Sequence, residues 1–212
     1  MRSLATKLLL HRVSSYNKRI KRERQLKMNI ELNNNLKGKC LIATPSVRDD
    51  VFGQSVIYIT EHSTVSGAVG VIINKHLPDD KRKLSNLDFN QYKNQWGKIP
   101  LYFGGPVELE TGFVLHESTD DESGWVLTGS RHKIQQMAQE DVVKPVMLTA
   151  GYCMWDSFQL EREVRLNNWL VIDSPASRIL AAVTPQERYQ LALSLAGIDN
   201  VAYYDFNGGG NA

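Results

Sequence analysis

Between Cys40 and Ile73 the chain falls into three short runs of apolar, largely β-branched residues separated by polar breaks. Cys40–Ala43, Ser55–Thr60 and Ala68–Ile73 are strand-sized, and their Val, Ile and Tyr content suits a pleated, packed surface. Ser66-Gly67 lies between the last two and suits a hairpin turn. Ile99–Phe103, Gly112–His116, Trp125–Thr128 and Trp169–Ile172 read as further strands. Pro145–Ala150 is apolar without alternation, the pattern of a strand covered on both faces. Pro78–Gln95 is charged and reads as a connection carrying at most one short helix, and Ser118–Ser123 reads as an acidic loop.

Helical periodicity comes late. Ser130 can cap a helix through Gln139 that places Ile134, Met137 and Ala138 on one face. Asp156 with Gln159 three residues on resembles a capping box, and Leu160 and Val164 then share a face. Ser174-Pro175 opens a helix to about Val183. Thr184-Pro185-Gln186-Glu187 combines N-cap, first-turn proline and box glutamate, so that a last helix should run to Ala196 and end at Gly197. Tyr203–Ala212 reads as a frayed end. Strands gathered ahead of helices, without strict alternation, point to an α+β fold.

The 212 residues are 42% hydrophobic and 23% charged, ordinary for one globular domain. No apolar run approaches the roughly 18 residues of a membrane-spanning helix. Two cysteines, Cys40 and Cys153, make no disulfide framework and have no metal-site spacing. The charge is uneven. Residues 1–27 hold nine Lys or Arg against the single Glu23, a net of +8, which leaves −6 for the rest of a chain whose total is +2. A transit peptide, a basic arm for nucleic acid or anionic lipid, and an extension without a fold upstream of a start at Met28 all fit that composition. Charge runs are usually solvated, which favours the last. Residues 28–212 are expected to form a single, mildly acidic domain with no broad attraction to phosphate backbones.

Candidate chemistry is sparse. Gly104-Gly105-Pro106 follows a strand and could cradle an anion on backbone N–H groups, but no P-loop or G-x-G-x-x-G pattern surrounds it, which favours a tight turn. Cys153 follows an apolar strand and precedes a helix, the order of a nucleophile elbow, without the G-x-S-x-G pattern; a small buried residue is the simpler reading. His62, His76, His116 and His132 show no paired spacing for a metal, and Asp120-Asp121-Glu122 matches no calcium loop. No cofactor is expected.

Several segments, taken in order, resemble one family. Leu41-Ile42-Ala43-Thr44-Pro45, Phe52–His62 and Gly67–Lys75 are similar to the opening, second and third strand patterns of the AlgH/YqgE-like proteins. Gly104–Val107 with Gly112–His116 resembles their GGPV…GFVLH, and Gly151-Tyr152, Trp155, Gln159-Leu160-Glu161 and Asn168-Trp169-Leu170 resemble their GY..W..GQLE.E…NAWL. The likeness runs from Leu36 to Ile198. It implies a bent sheet, partly closed into a small barrel and surrounded by helices, in a bacterial cytoplasmic protein. It also implies a transcriptional-regulator label that comes with no established catalytic residues and no DNA-binding motif. This chain departs from the pattern at Cys153, where the family has Ala or Ser, and at Met154 and Phe158, where it has small residues.

The expected function is therefore a non-enzymatic regulatory or interaction role with a protein partner, and nucleic acid is not expected to bind the folded part. The alternatives are a DNA-binding regulator and a hydrolase using the Gly104-Gly105 turn as an anion site. His62, Asn74, Gly104, Gly105 and His116 form the candidate ligand or interaction surface. Convergence of these residues in one concavity would favour a ligand site; dispersal would favour the interaction role. Trp155 and Trp169 are expected to be buried packing residues.

Overall fold

The computed structural model describes residues 35–77, 101–118, 124–140, 145–173, 176–182 and 184–198. The basic segment 1–27, the connection Pro78–Gln95, the acidic triplet Asp120–Glu122 and Tyr203–Ala212 lie outside them. In chain order the strands are β1 (Cys40–Ala43), β2 (Val56–Ser63), β3 (Gly67–Ile72), β4 (Leu101–Phe103), β5 (Val107–Glu117), β6 (Trp125–Thr128), β7 (Pro145–Trp155) and β8 (Trp169–Ile172). The helices are α1 (Arg131–Glu140), α2 (Gln159–Arg165), α3 (Ala176–Leu180) and α4 (Pro185–Leu195).

The strands make one sheet in the order β6-β5-β7-β3-β2-β1-β8, and β4 lies against β7 off this path. Every strand pairing is antiparallel except β4–β7. β1 is buried at all four positions, because Cys40 and Ile42 face a core shared with α3 and α4 while Leu41 and Ala43 alternate onto the opposite face. That first core joins Val56, Tyr58, Val71, Met147, Ile172, Ile179 and Leu193. A smaller cluster of Val114, Leu148 and Ile134 seats α1 on the β5–β7 part of the sheet.

β7 carries the architecture. Its first half, Pro145–Ala150, pairs with β5 on one side and β4 on the other, while Cys153–Trp155 pairs with β3. The exchange occurs at Gly151, whose φ of 68° is a left-handed conformation that penalises any Cβ. A Cβ at Gly104 would lie 2.2 Å from the Gly151 carbonyl oxygen, and one at Gly105 would lie 2.2 Å from the Tyr152 carbonyl. The glycines let the β4–β5 connection cross the β7 backbone at contact distance. Gly104 also bridges the strands that part there: its N–H donates to the Ala150 carbonyl at 2.8 Å and its carbonyl accepts from the Ile72 N–H at 2.8 Å. The sheet therefore forks where β3 leaves β7 and β4 enters between them.

The sheet is not closed, which corrects the barrel that the family resemblance implied. It curls enough for Trp125 and Leu127 of β6 to pack on the cluster holding Tyr58 of β2. Among the described residues, however, β6 pairs only with β5 and β8 only with β1. A barrel needs an unbroken, regularly staggered ladder, and this sheet ends in two edges.

Helix starts differ from the sequence expectation in one place. Thr184 makes the full capping box, accepting from the Glu187 N–H at 3.2 Å while the Glu187 carboxylate accepts from the Thr184 N–H at 2.9 Å. At α2 only half of a box forms: the Gln159 side chain accepts from the Asp156 N–H at 2.9 Å, but the helix begins at Gln159 with Phe158 in the N-cap position at φ 59°. α3 is shorter than the stretch from Ser174 to Val183, and those two end residues lie outside the described ones.

Candidate functional site

His62 sits near the end of β2 with its side chain almost completely buried. Its Nδ1 accepts the Leu36 N–H at 3.0 Å, which leaves the ring proton on Nε2 to be donated to the Glu161 carboxylate on α2 at 3.0 Å. Both nitrogens are thus spent tying the chain at Leu36 to α2. Asn74, also buried, is used as fully: its Oδ1 accepts the Val56 N–H at 2.6 Å and its amide donates to the Gln54 carbonyl at 2.9 Å. His116, on β5, donates from Nδ1 to the Glu117 carbonyl at 2.9 Å and in that tautomer accepts from the Thr128 hydroxyl at 3.0 Å.

These residues do not gather. His62 lies opposite Ala68, which lies opposite Trp155 at one end of β7, whereas His116 lies opposite Pro145 at the other end. Ten residues of strand separate those ends, about 33 Å at the usual rise. Asn74 sits by Val56 at the far end of β2 from His62. Gly104 and Gly105 are buried, and the N–H and carbonyl of Gly104 are both engaged within the sheet. Of the five, Gly104 and Gly105 adjoin in the chain, and the Ile72 N–H that Gly104 accepts lies two residues before Asn74; the two histidines stand apart from these and from each other.

The cysteines offer no nucleophile. Burial pushes the Cys40 thiol up to about 12 and raises the Cys153 thiol strongly as well, and the Cys153 sulfur donates to the Gly104 carbonyl at 3.4 Å. A reactive thiolate needs the opposite environment. Among the described residues, no group of three or more His, Cys, Asp or Glu could hold a metal ion.

Three polar side chains outside the candidate set are built into the fold. The half-buried Lys75 donates to the carbonyls of Asp50 at 3.1 Å and Val51 at 2.7 Å, anchoring the loop before β2; burial draws its amine below the usual lysine value, and Asp49, Asp50 and Cys153 oppose that shift. Arg188 of α4 is buried with carbonyl partners, Ile73 at 2.8 Å and Ala182 at 3.1 Å, and its guanidinium lies 4.9 Å from the centre of the Tyr102 ring. Glu163 of α2 accepts both indole N–H groups on one carboxylate oxygen, from Trp155 at 3.0 Å and Trp169 at 2.7 Å, and takes the Gln159 amide on the other at 2.9 Å. Trp155 and Trp169 are 4% and 3% exposed and meet edge to face at 6.1 Å, which fulfils the packing role expected of them. The visible signal for Glu163 was its i,i+4 spacing from Gln159 in a segment flanked by two tryptophans.

α2 sorts its charges as a result. Glu161 is held by His62 and Glu163 by the tryptophans, while Arg162, Arg165, Phe158 and Leu166 are exposed.

Comparison with known proteins adds identity to this geometry. The family model described as AlgH-like, DUF179, matches residues 40–201. The chain belongs to the AlgH-like family. A UPF0301 protein of Dechloromonas aromatica is 34% identical over 184 residues, covering 83% of this chain and 98% of the relative. A UPF0301 protein of Burkholderia vietnamiensis is 36% identical over 177 residues, covering 78% and 91%. The solution structure of the AlgH protein from Pseudomonas aeruginosa superimposes with a TM-score of 0.58 at 28% identity, over 82% of this chain and 95% of that one. A Corynebacterium diphtheriae protein at 19% identity shares the fold, with a TM-score of 0.51 over 79% of this chain and 93% of that one. The AlgH-like match covers all eight strands and all four helices, so the fork at β7, the Glu163 clamp and α2 lie inside the family region.

Proposed function

We propose that this AlgH-like chain is a non-enzymatic cytoplasmic protein that works by binding a protein partner. One observation carries the reading: the polar side chains that the sequence offered as a site, His62, Asn74 and His116, are each committed to internal hydrogen bonds and sit at different ends of the sheet. Catalysis needs a convergent set of groups aimed at one reacting atom. The Gly104-Gly105 turn supports a structural role in the same way, because both backbone groups of Gly104 are engaged and a Cβ at either glycine would strike the β7 backbone.

The test is native co-purification of the tagged full chain from source cells, quantified by mass spectrometry. A single protein enriched to near-equimolar amounts is expected. Absence of any enriched protein, together with a hydrolytic turnover that disappears in a folded His62→Gln variant, would reverse the assignment.

A further inference from the structure

We infer that the outward face of α2 docks an acidic segment of the partner protein, one that brings an apolar side chain to each end of the helix. The inference rests on the interaction reading above and names its surface.

The exposed large hydrophobic residues among those described are Val65, Met154, Phe158 and Leu166. Phe158 and Leu166 immediately flank α2. Val65 is brought to the Phe158 end because the neighbouring Thr64 carbonyl accepts from the Phe158 N–H at 3.1 Å and the Ser157 hydroxyl at 3.2 Å. Met154 is the second-last residue of β7 before that junction, paired with Val69 of β3. At about 100° per residue, Arg162 and Arg165 fall on one face of the helix, and Phe158 and Leu166 stand at its two ends. The apolar ends are separated by eight residues, about 12 Å along the axis.

Among the described residues, the two arginines between them have no carboxylate partner. A Glu161–Arg165 pair would suit their i,i+4 spacing, yet Glu161 is turned to His62 and Glu163 to the tryptophans. Neither Arg162 nor Arg165 forms an ion pair with a described carboxylate. This leaves a positive strip on a body whose residues 28–212 sum to −6. The apolar end is also maintained against local preference, since Phe158 takes a left-handed φ of 59° although the residue is 57% exposed. A cationic strip with apolar ends complements an amphipathic segment with acids between two apolar residues about two helical turns apart. A lipid surface fits less well, because α2 has only seven residues and presents no continuous apolar face to solvent, its Leu160 and Val164 being buried.

The test uses fluorescence anisotropy of the full chain with a labelled amphipathic peptide that has Leu at both ends of two helical turns and Glu between them. A peptide with Lys in place of Glu serves as the control. Binding of the acidic peptide is expected, weakened about tenfold by Arg162→Glu with Arg165→Glu and severalfold by Phe158→Gly. Thermal unfolding of each variant confirms that it is folded. No binding of the acidic peptide, equal binding of the Lys peptide, or unchanged affinity of the double variant would each overturn the inference. So would loss of binding to phosphatidylglycerol vesicles, in place of peptide binding, in the double variant. A partner co-purifying equally with wild type and the double variant would leave the interaction reading standing and remove this surface from it.

Discussion

Phe158 shows how a single residue can be held against its own preference. A β-carbon in the left-handed region costs roughly 1–2 kcal/mol, which glycine avoids at the expense of greater freedom in the unfolded chain. Phe158→Gly should therefore raise stability by about 0.5–1 kcal/mol, seen as a higher urea midpoint at unchanged slope. A lower midpoint would mean that the exposed ring has a packing role. Glu163 is the opposite case, a residue whose value lies in what it satisfies. Glu163→Ala strands two buried indole donors and should cost about 2–4 kcal/mol, with Glu163→Gln costing less because an amide oxygen still accepts. Equal losses from the two variants in chemical denaturation would contradict that account. The thiols make a third case. Cys40 and Cys153 are both buried with their pKa values raised, so Ellman's reagent at pH 8 should label them only as fast as the protein opens. At this scale the sequence showed which residues were polar but not whom they faced. His62, Asn74 and His116 looked available because their partners, Leu36, Glu161, Val56, Gln54 and Thr128, include distant and backbone groups that no local pattern encodes.

Elements were legible where one local signal decided them. β1, β6 and β8 fall on the runs that apolar, β-branched composition marks, and α4 begins where Thr184, Pro185 and Glu187 say it should. Thr184→Ala should cost about 1 kcal/mol in thermal or chemical unfolding, the usual value of an N-cap. β5 and β7 were each read too short, for one reason. Their missing halves, Val107–Thr111 and Gly151–Trp155, meet at the glycine crossing, where pairing depends on a backbone contact between residues some 45 positions apart. Glycine there looked like the end of a strand when it is the bend within one. Gly105→Ala should chiefly destabilise, by a few kcal/mol, since its Cβ would collide with the Tyr152 carbonyl. The α2 junction should be as sensitive. Trp155→Ala and Trp169→Ala should each cost about 3–5 kcal/mol, and iodide should quench neither ring in the folded protein.

For the whole molecule, the α+β class followed from strands preceding helices, whereas closure of the sheet could not be read from a pattern that records runs and not registers. Charge at this scale bears on nucleic acid. With −6 on residues 28–212, a form starting at Met28 should give no salt-dependent shift of duplex DNA at physiological salt; a shift at micromolar protein would restore the DNA-binding alternative.

The order of the sheet also constrains how a ribosome can make it. β7 lies between β5 and β3, yet it is synthesised after both. Until Trp155 has left the exit tunnel, a nascent chain holds two separate sets of strands, each with a raw edge where the missing strand belongs. Folding is then a late, nearly all-at-once event that waits on residues 145–155, and a release or stall just before Pro145 would leave a species suited to chaperone capture or aggregation. In a protein of this build, the vulnerable moment is the interval in which β7 is still inside the ribosome.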